Sequence, residues 1–205
     1  KRAFAVSSNY VFAKLGIDLG GSELLETANK FWLNRKPPFD LPVSEGRIPE
    51  PKSELELGET AIGQGRLLLT PLSMALAAAA VANNGVIMVP RLVDEIRNPE
   101  GEVVWRLKPE ELSTAIDRTV AARLRELMVE VVDTGTGGRA AISNISVAGK
   151  TGTAENPHGL PHAWFVGFAP GGNPQVAVAV IIENGGTGGR EAAPVAREII
   201  KAIIR

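Results

Sequence analysis

Between Thr70 and Asn83 the chain is an almost unbroken run of small and apolar residues, with Pro71 at its head and Leu72, Met74, Leu76 and Val81 among alanines. A hydroxyl residue followed by proline is a helix start, so a helix begins at Pro71 under a Thr70 cap and runs to about Asn83. Its alanine-dense face suits close packing in a core. Helical spacing recurs in three further stretches. Over 22–32, Leu24, Leu25, Ala28 and Trp32 share one face; beyond Asp117, Val120, Leu124, Leu127, Met128 and Val131 do so. Over 190–204, Val195, Ile199, Ile200 and Ile203 are expected to face inward. Near the start, Ser7, Ser8 and Asn9 are N-cap residues ahead of a short amphipathic helix that Gly16 is expected to stop.

Alternation and β-rich composition mark three extended runs, 145–154, 162–169 and 175–183. Short polar links, Glu155 to Pro161 and Pro170 to Pro174, join them, and the economical arrangement is an antiparallel meander. Asn83-Asn84-Gly85 turns the chain after the alanine helix, and Val86 to Arg106 reads as a hairpin turning at Asn98-Pro99-Glu100-Gly101. Lys36 to Leu57, rich in proline and charge, reads as a long surface excursion with little regular structure. Strands in a run beside helices in a run predict an α+β layer arrangement in one domain.

Charge and composition remove several function classes. The formal net charge is −1 with both signs interspersed, which argues against nucleic acid or a polybasic membrane surface as partner. The chain has no cysteine, so disulfides and thiolate chemistry are excluded. Its longest apolar runs, near Ala75 to Ala82 and Val176 to Ile182, are too short to cross a bilayer.

The stretch Val147-Ala148-Gly149-Lys150-Thr151-Gly152-Thr153-Ala154-Glu155 puts a lysine and two hydroxyls on a predicted strand. Glycine inside a strand marks a close backbone approach, which is how a sheet edge receives a peptide-like ligand; a core strand with an incidental lysine is the bland alternative. Gly149-Lys150-Thr151 ends like a phosphate-binding loop, but Asn144 stands where its first glycine belongs, and Gly152, Asn156, Pro157 and Gly159 follow where a helix is required. The glycine-dense Asp133 to Arg139 is a loop for the same reason. His158 and His162 are four apart, yet Gly159 and Pro161 between them deny the helix that would unite the imidazoles on a metal. No G-x-S-x-G elbow offers them a triad serine.

Ser7-x-Asn9 followed far downstream by Lys150-Thr151-Gly152 resembles the paired accessory motifs of serine penicillin-recognising enzymes. Ala61-Ile62-Gly63-Gln64-Gly65, Leu69-Thr70-Pro71-Leu72 with Met74-Ala75, Asn83-Asn84-Gly85-Val86 and His162-Ala163-Trp164-Phe165-Val166-Gly167-Phe168-Ala169-Pro170 match the wording of the same family. The whole chain resembles the C-terminal part of a penicillin-binding protein transpeptidase domain of the class B, monofunctional type. That resemblance implies an antiparallel sheet with helices on both faces, incomplete in this chain. The family nucleophile is the serine of S-x-x-K, and none of these serines has lysine three positions on: Ser7 leads to Tyr10, Ser8 to Val11, Ser53 to Glu56, Ser113 to Ile116. Residues 1–205 are therefore expected to be a piece of one transpeptidase domain whose nucleophile-bearing segment lies upstream.

The resemblance also implies roles. Ser7 passes a proton to the leaving nitrogen, Lys150 holds Ser7, and Asn9 bonds the side-chain amide of the substrate. Thr151 and Thr153 contact the terminal carboxylate, the Thr153 N–H is one oxyanion donor, and Gly152 gives the ligand clearance. The implied reaction is D,D-transpeptidation of peptidoglycan through an acyl-serine, with no cofactor and no metal. Its implied partners are stem peptides ending in D-Ala-D-Ala, β-lactam antibiotics, the upstream segment and a membrane glycosyltransferase left unidentified. Its place is the extracytoplasmic face of the bacterial cytoplasmic membrane, with the anchor outside this chain. A serine β-lactamase, a β-lactam sensor and a non-catalytic cell-wall scaffold remain open alternatives.

Overall fold

The computed structural model of the protein describes residues 1–204. Helices α1 (Arg2–Ala5), α2 (Asn9–Leu19) and α3 (Gly21–Lys30) open the chain, and α4 (Glu54–Ala61) and α5 (Pro71–Ala82) follow. Four short strands come next, β1 (Val86–Met88), β2 (Glu95–Arg97), β3 (Val103–Arg106) and β4 (Glu111–Thr114). Helix α6 (Arg118–Asp133) leads to the main strands β5 (Ala148–Ala154), β6 (His162–Ala169) and β7 (Val176–Ile182), and α7 (Ala192–Ile203) ends the description.

The meander forms as the alternation predicts. β5, β6 and β7 make one antiparallel sheet in that order, with Lys150 opposite Val166 and Val166 opposite Ala179. Helices lie on both faces. On one, Val147, Ala163, Phe165, Val178 and Val180 pack against Ala192, Ala193, Ala196 and Ile200 of α7. On the other, Ala148 and Phe168 meet Ala78 and Val81 of α5 and Met128 of α6. Gly149 is required here because the Phe165 ring lies where its Cβ would be.

Helix α5 starts as its sequence dictates. Thr70 and Ser73 form a reciprocal capping box, with Ser73 N donating to Thr70 Oγ1 and Thr70 N to Ser73 Oγ, both at 3.1 Å. At its other end Asn84 and Gly85 both take positive φ, and the Ile116 carbonyl leaves no room for a Cβ at Gly85. Arg125 of α6 donates to the Ala82 carbonyl and to Asn84 Oδ1, placing a cation at the negative end of α5.

Five expectations are corrected. Gly16 does not stop α2; it lies buried inside the helix against Ala61 of α4, and the chain breaks instead at Gly20, where φ is +89°. The excursion after Lys36 ends early, because Ser53 accepts from Glu56 N and caps α4, whose Gly58 packs on Ala13 and Ile17 of α2. The hairpin turn at Asn98–Gly101 is present, but it joins β2 to β3, whereas β1 pairs with β4 outside it. On α7 the inward face is Ala192, Ala193, Ala196 and Ile200, while Val195, Ile199 and Ile203 are 41%, 38% and 57% exposed. Val120 is likewise exposed on α6.

Candidate active site

The link between α1 and α2 is where the first predicted motif lies. Ser8 N donates to Ala3 O at 2.9 Å and ends α1, and Ser7 between them takes a left-handed φ of 54°. Serine rarely holds that conformation, and such residues concentrate where side-chain direction matters. Phe4 and Phe12 brace the link, their rings 5.9 Å apart and edge to face. Thr136 N donates to Ala5 O at 3.1 Å, fastening the same link to the loop after α6. Ser8 takes the N-cap position of α2 with extended backbone, its carbonyl accepting from Phe12 N at 3.1 Å, but its side chain makes no cap bond.

Lys150 reaches this link from the middle of β5. Its Nζ donates to Ser7 Oγ at 2.8 Å across 143 sequence positions, and to the Thr151 carbonyl at 2.8 Å. Burial lowers the lysine pKa to about 8, since an ammonium loses hydration there. None of the ion pairs among the described residues involves it. A half-buried cation with a hydroxyl and a carbonyl for company still has charge to offer an anion.

Ser7, Asn9, Lys150, Thr151, Gly152 and Thr153 all line one cavity of about 980 Å³. Thr151 Oγ1 lies 2.6 Å from Thr136 Oγ1, and Thr153 Oγ1 accepts from Gly188 N at 3.4 Å. A Cβ at Gly152 would come within 3.1 Å of Trp164 Cβ, so cross-strand packing as well as ligand clearance favours glycine there. The sequence reading missed Gln64, Thr136, Arg139, Thr187 and Arg190, which complete the wall. Gln64 and Thr136 carried a signal, since each sits between two glycines in a stretch already singled out. His162 accepts from Asn184 N through Nδ1 at 3.0 Å, and His158 lies exposed in the loop before it. Among the described residues no group of three or more His, Asp or Glu gathers as a metal site.

The family model described as "Penicillin binding protein transpeptidase domain" matches residues 1–201. The chain belongs to the penicillin-binding protein transpeptidase family. A curated relative, the peptidoglycan D,D-transpeptidase PbpA of Mycolicibacterium smegmatis, is 40% identical over all of this chain and 44% of its own length. A solved structure of penicillin-binding protein A from M. tuberculosis, a ceftriaxone acyl-enzyme complex, superposes with a TM-score of 0.94 at 39% identity. It covers 99% of this chain and 48% of that one. The D,D-transpeptidase domain of a peptidoglycan glycosyltransferase from Eggerthella lenta gives 0.92 at 38% identity, covering 99% of this chain and 52% of that one. This transpeptidase-family chain thus spans about half the length of the relatives it matches. No helix among its described residues is long and apolar enough to cross a membrane.

Proposed function

We propose that this chain is the C-terminal part of a D,D-transpeptidase that cross-links peptidoglycan through an acyl-serine, and that β-lactams inhibit it by imitating the donor. The observation that carries the reading is the Lys150 Nζ to Ser7 Oγ bond of 2.8 Å at the wall of a cavity shared with Thr151 and Thr153. The D,D-transpeptidase names of the relatives favour it over a β-lactamase, a sensor or a scaffold.

In this reading a serine from a preceding segment of the whole protein gives its hydroxyl proton to a base of that segment and attacks the carbonyl of the penultimate D-Ala. The carbonyl oxygen becomes an oxyanion, held by the Thr153 N–H and the N–H of the attacking serine. Its collapse breaks the peptide bond, and Ser7, held by Lys150, delivers the proton to the departing D-Ala nitrogen. An amine of a second stem peptide then attacks the ester, the amide forms, and the serine oxygen leaves with a proton returned along the same path. Lys150, Thr151 and Thr153 hold the terminal carboxylate while Asn9 bonds the side-chain amide of the donor. The chemistry belongs outside the cytoplasmic membrane, where stem peptides are cross-linked beside a glycosyltransferase.

The test is penicillin acylation of the whole protein. Lys150→Ala is expected to slow it about a hundredfold or more, the scale of a lost proton-path partner, while His158→Ala and His162→Ala change it little. A histidine variant that abolishes acylation beside an active lysine variant overturns these roles.

A further inference from the structure

The outer edge of β5, where the proposed donor would lie, is already occupied by a side chain. Gln64 Nε2 donates to the Thr153 carbonyl at 2.8 Å, and Gln64 Oε1 accepts from Glu155 N at 3.1 Å. These two backbone groups flank Ala154 on the edge that faces away from β6. A strand added to β5 in either direction must use both. The carboxamide therefore copies the donor and acceptor of an incoming peptide.

The loop that presents Gln64 is built to turn. Gly63 and Gly65 hold φ of +79° and +81°, and Gln64 N is tied to Glu59 O at 2.9 Å, which fixes the loop to α4. Around Gly63 a Cβ would meet nothing within 4 Å, so its neighbourhood is open. Gln64 also lines two cavities that run along the same strand. The one of about 980 Å³ holds Ser7 and Lys150; the other, about 550 Å³, is walled by Leu67, Leu69, Met74, Trp164 and Ile181.

We propose that Gln64 is a stand-in for ligand on the β5 edge, and that an extended acyl-peptide displaces it, taking Thr153 O with an amide N–H and Glu155 N with a carbonyl. The acyl side of that ligand then extends past the vacated position over the apolar wall of the second cavity. Gln64 in this way discriminates among ligands: an extended peptide with an amide N–H and a second carbonyl further along recovers both bonds, a ligand with a single trans amide recovers only the one to Thr153 O because its own carbonyl points the other way, and a ligand without an amide recovers neither. The inference rests on the transpeptidase reading for the identity of the ligand, and on the two hydrogen bonds for the displacement.

Gln64→Met keeps side-chain length and removes both hydrogen-bonding groups. In the whole protein it is expected to raise the second-order acylation rate by penicillin G, which carries an amide N–H, about fivefold, the scale of two modest hydrogen bonds no longer competing. Imipenem, with a hydroxyethyl group in place of that amide, must displace Gln64 without recovering its bonds, so it is expected to gain at least as much. In the unmodified protein, penicillin G is expected to bring the Gln64 carboxamide resonances to those of a free side chain while the Glu155 amide loses its protection, because the carbonyl of its single amide points away from β5. With diacetyl-Lys-D-Ala-D-Ala, whose acetyl carbonyl lies one residue beyond the donating amide, that protection is kept. A slower reaction of Gln64→Met with penicillin G overturns the proposal, as does a Gln64 carboxamide that keeps its resonances in the penicillin G adduct. A readout independent of acylation is hydrogen exchange at the Glu155 amide without ligand, expected to speed up tenfold or more in Gln64→Met. Unchanged exchange also overturns the proposal. If neither β-lactam acylates the unmodified protein, the transpeptidase reading fails, and titration with diacetyl-Lys-D-Ala-D-Ala, followed at Gln64 and Glu155, decides the displacement alone.

Discussion

Lys150 faces two opposed demands at the scale of a single residue. Burial lowers its pKa to about 8 from 10.5, so the folded chain sheds the proton before the unfolded chain does. Between those values the unfolded state binds more protons, and the contribution of this group to stability rises with pH; below about 8 the cost of the buried ammonium is present in full. If the ammonium holds Ser7 and the substrate carboxylate, acylation falls as pH rises through about 8 in the same window. Thermal unfolding of the whole protein beside its Lys150→Met variant, measured from pH 7 to 10, is expected to show the stability gap moving toward the lysine form as pH rises. A gap independent of pH would place the proton elsewhere. The meeting of Ser7 and Lys150 was legible because both belong to short motifs with a known order. The left-handed Ser7 was not, since residue type alone argues against that φ. Gln64 escaped for a related reason: its role lies in a side chain imitating backbone, and no spacing rule encodes that.

At the scale of elements, alternation and capping located the three main strands and α5 because those signals are local. The errors fall where tertiary contact overrides local preference. Gly16 stays helical because α2 and α4 approach so closely there that a Cβ would run into Ala61 of α4. On α7 the larger aliphatic residues lost the inner face to alanines, because Ala192, Ala193 and Ala196 let the helix lie close on β6 and β7. Two neighbouring isoleucines test that assignment. Ile200 is fully buried against the sheet, and Ile200→Ala is expected to cost about 2 to 4 kcal/mol in denaturant unfolding. Ile199→Ala, on the outer stripe, is expected to cost less than about 1 kcal/mol in this chain. Equal costs would mean that α7 is rotated on the sheet relative to the arrangement described.

At the scale of the whole molecule, two apolar features of this chain are left open among the described residues. β7 pairs only with β6, and α7, packed on β7, turns Val195, Ile199 and Ile203 outward. An unpaired strand beside an apolar helix stripe is a site for pairing with more polypeptide or for self-association. Together with the absence of any serine followed by lysine three positions on, this leads to one expectation for residues 1–205 by themselves. They are expected to self-associate and to form no stable adduct with a fluorescent penicillin, because in the proposed roles Ser7, bonded to Lys150, carries a proton and does not attack. Co-expression with the preceding segment of the whole protein is expected to restore both a monodisperse particle and labelling, with the adduct on a serine of that segment. Mass spectrometry that finds the penicillin on Ser7 or Ser8 of the 205 residues alone would make this chain its own acyl acceptor and overturn the division of labour proposed for the site.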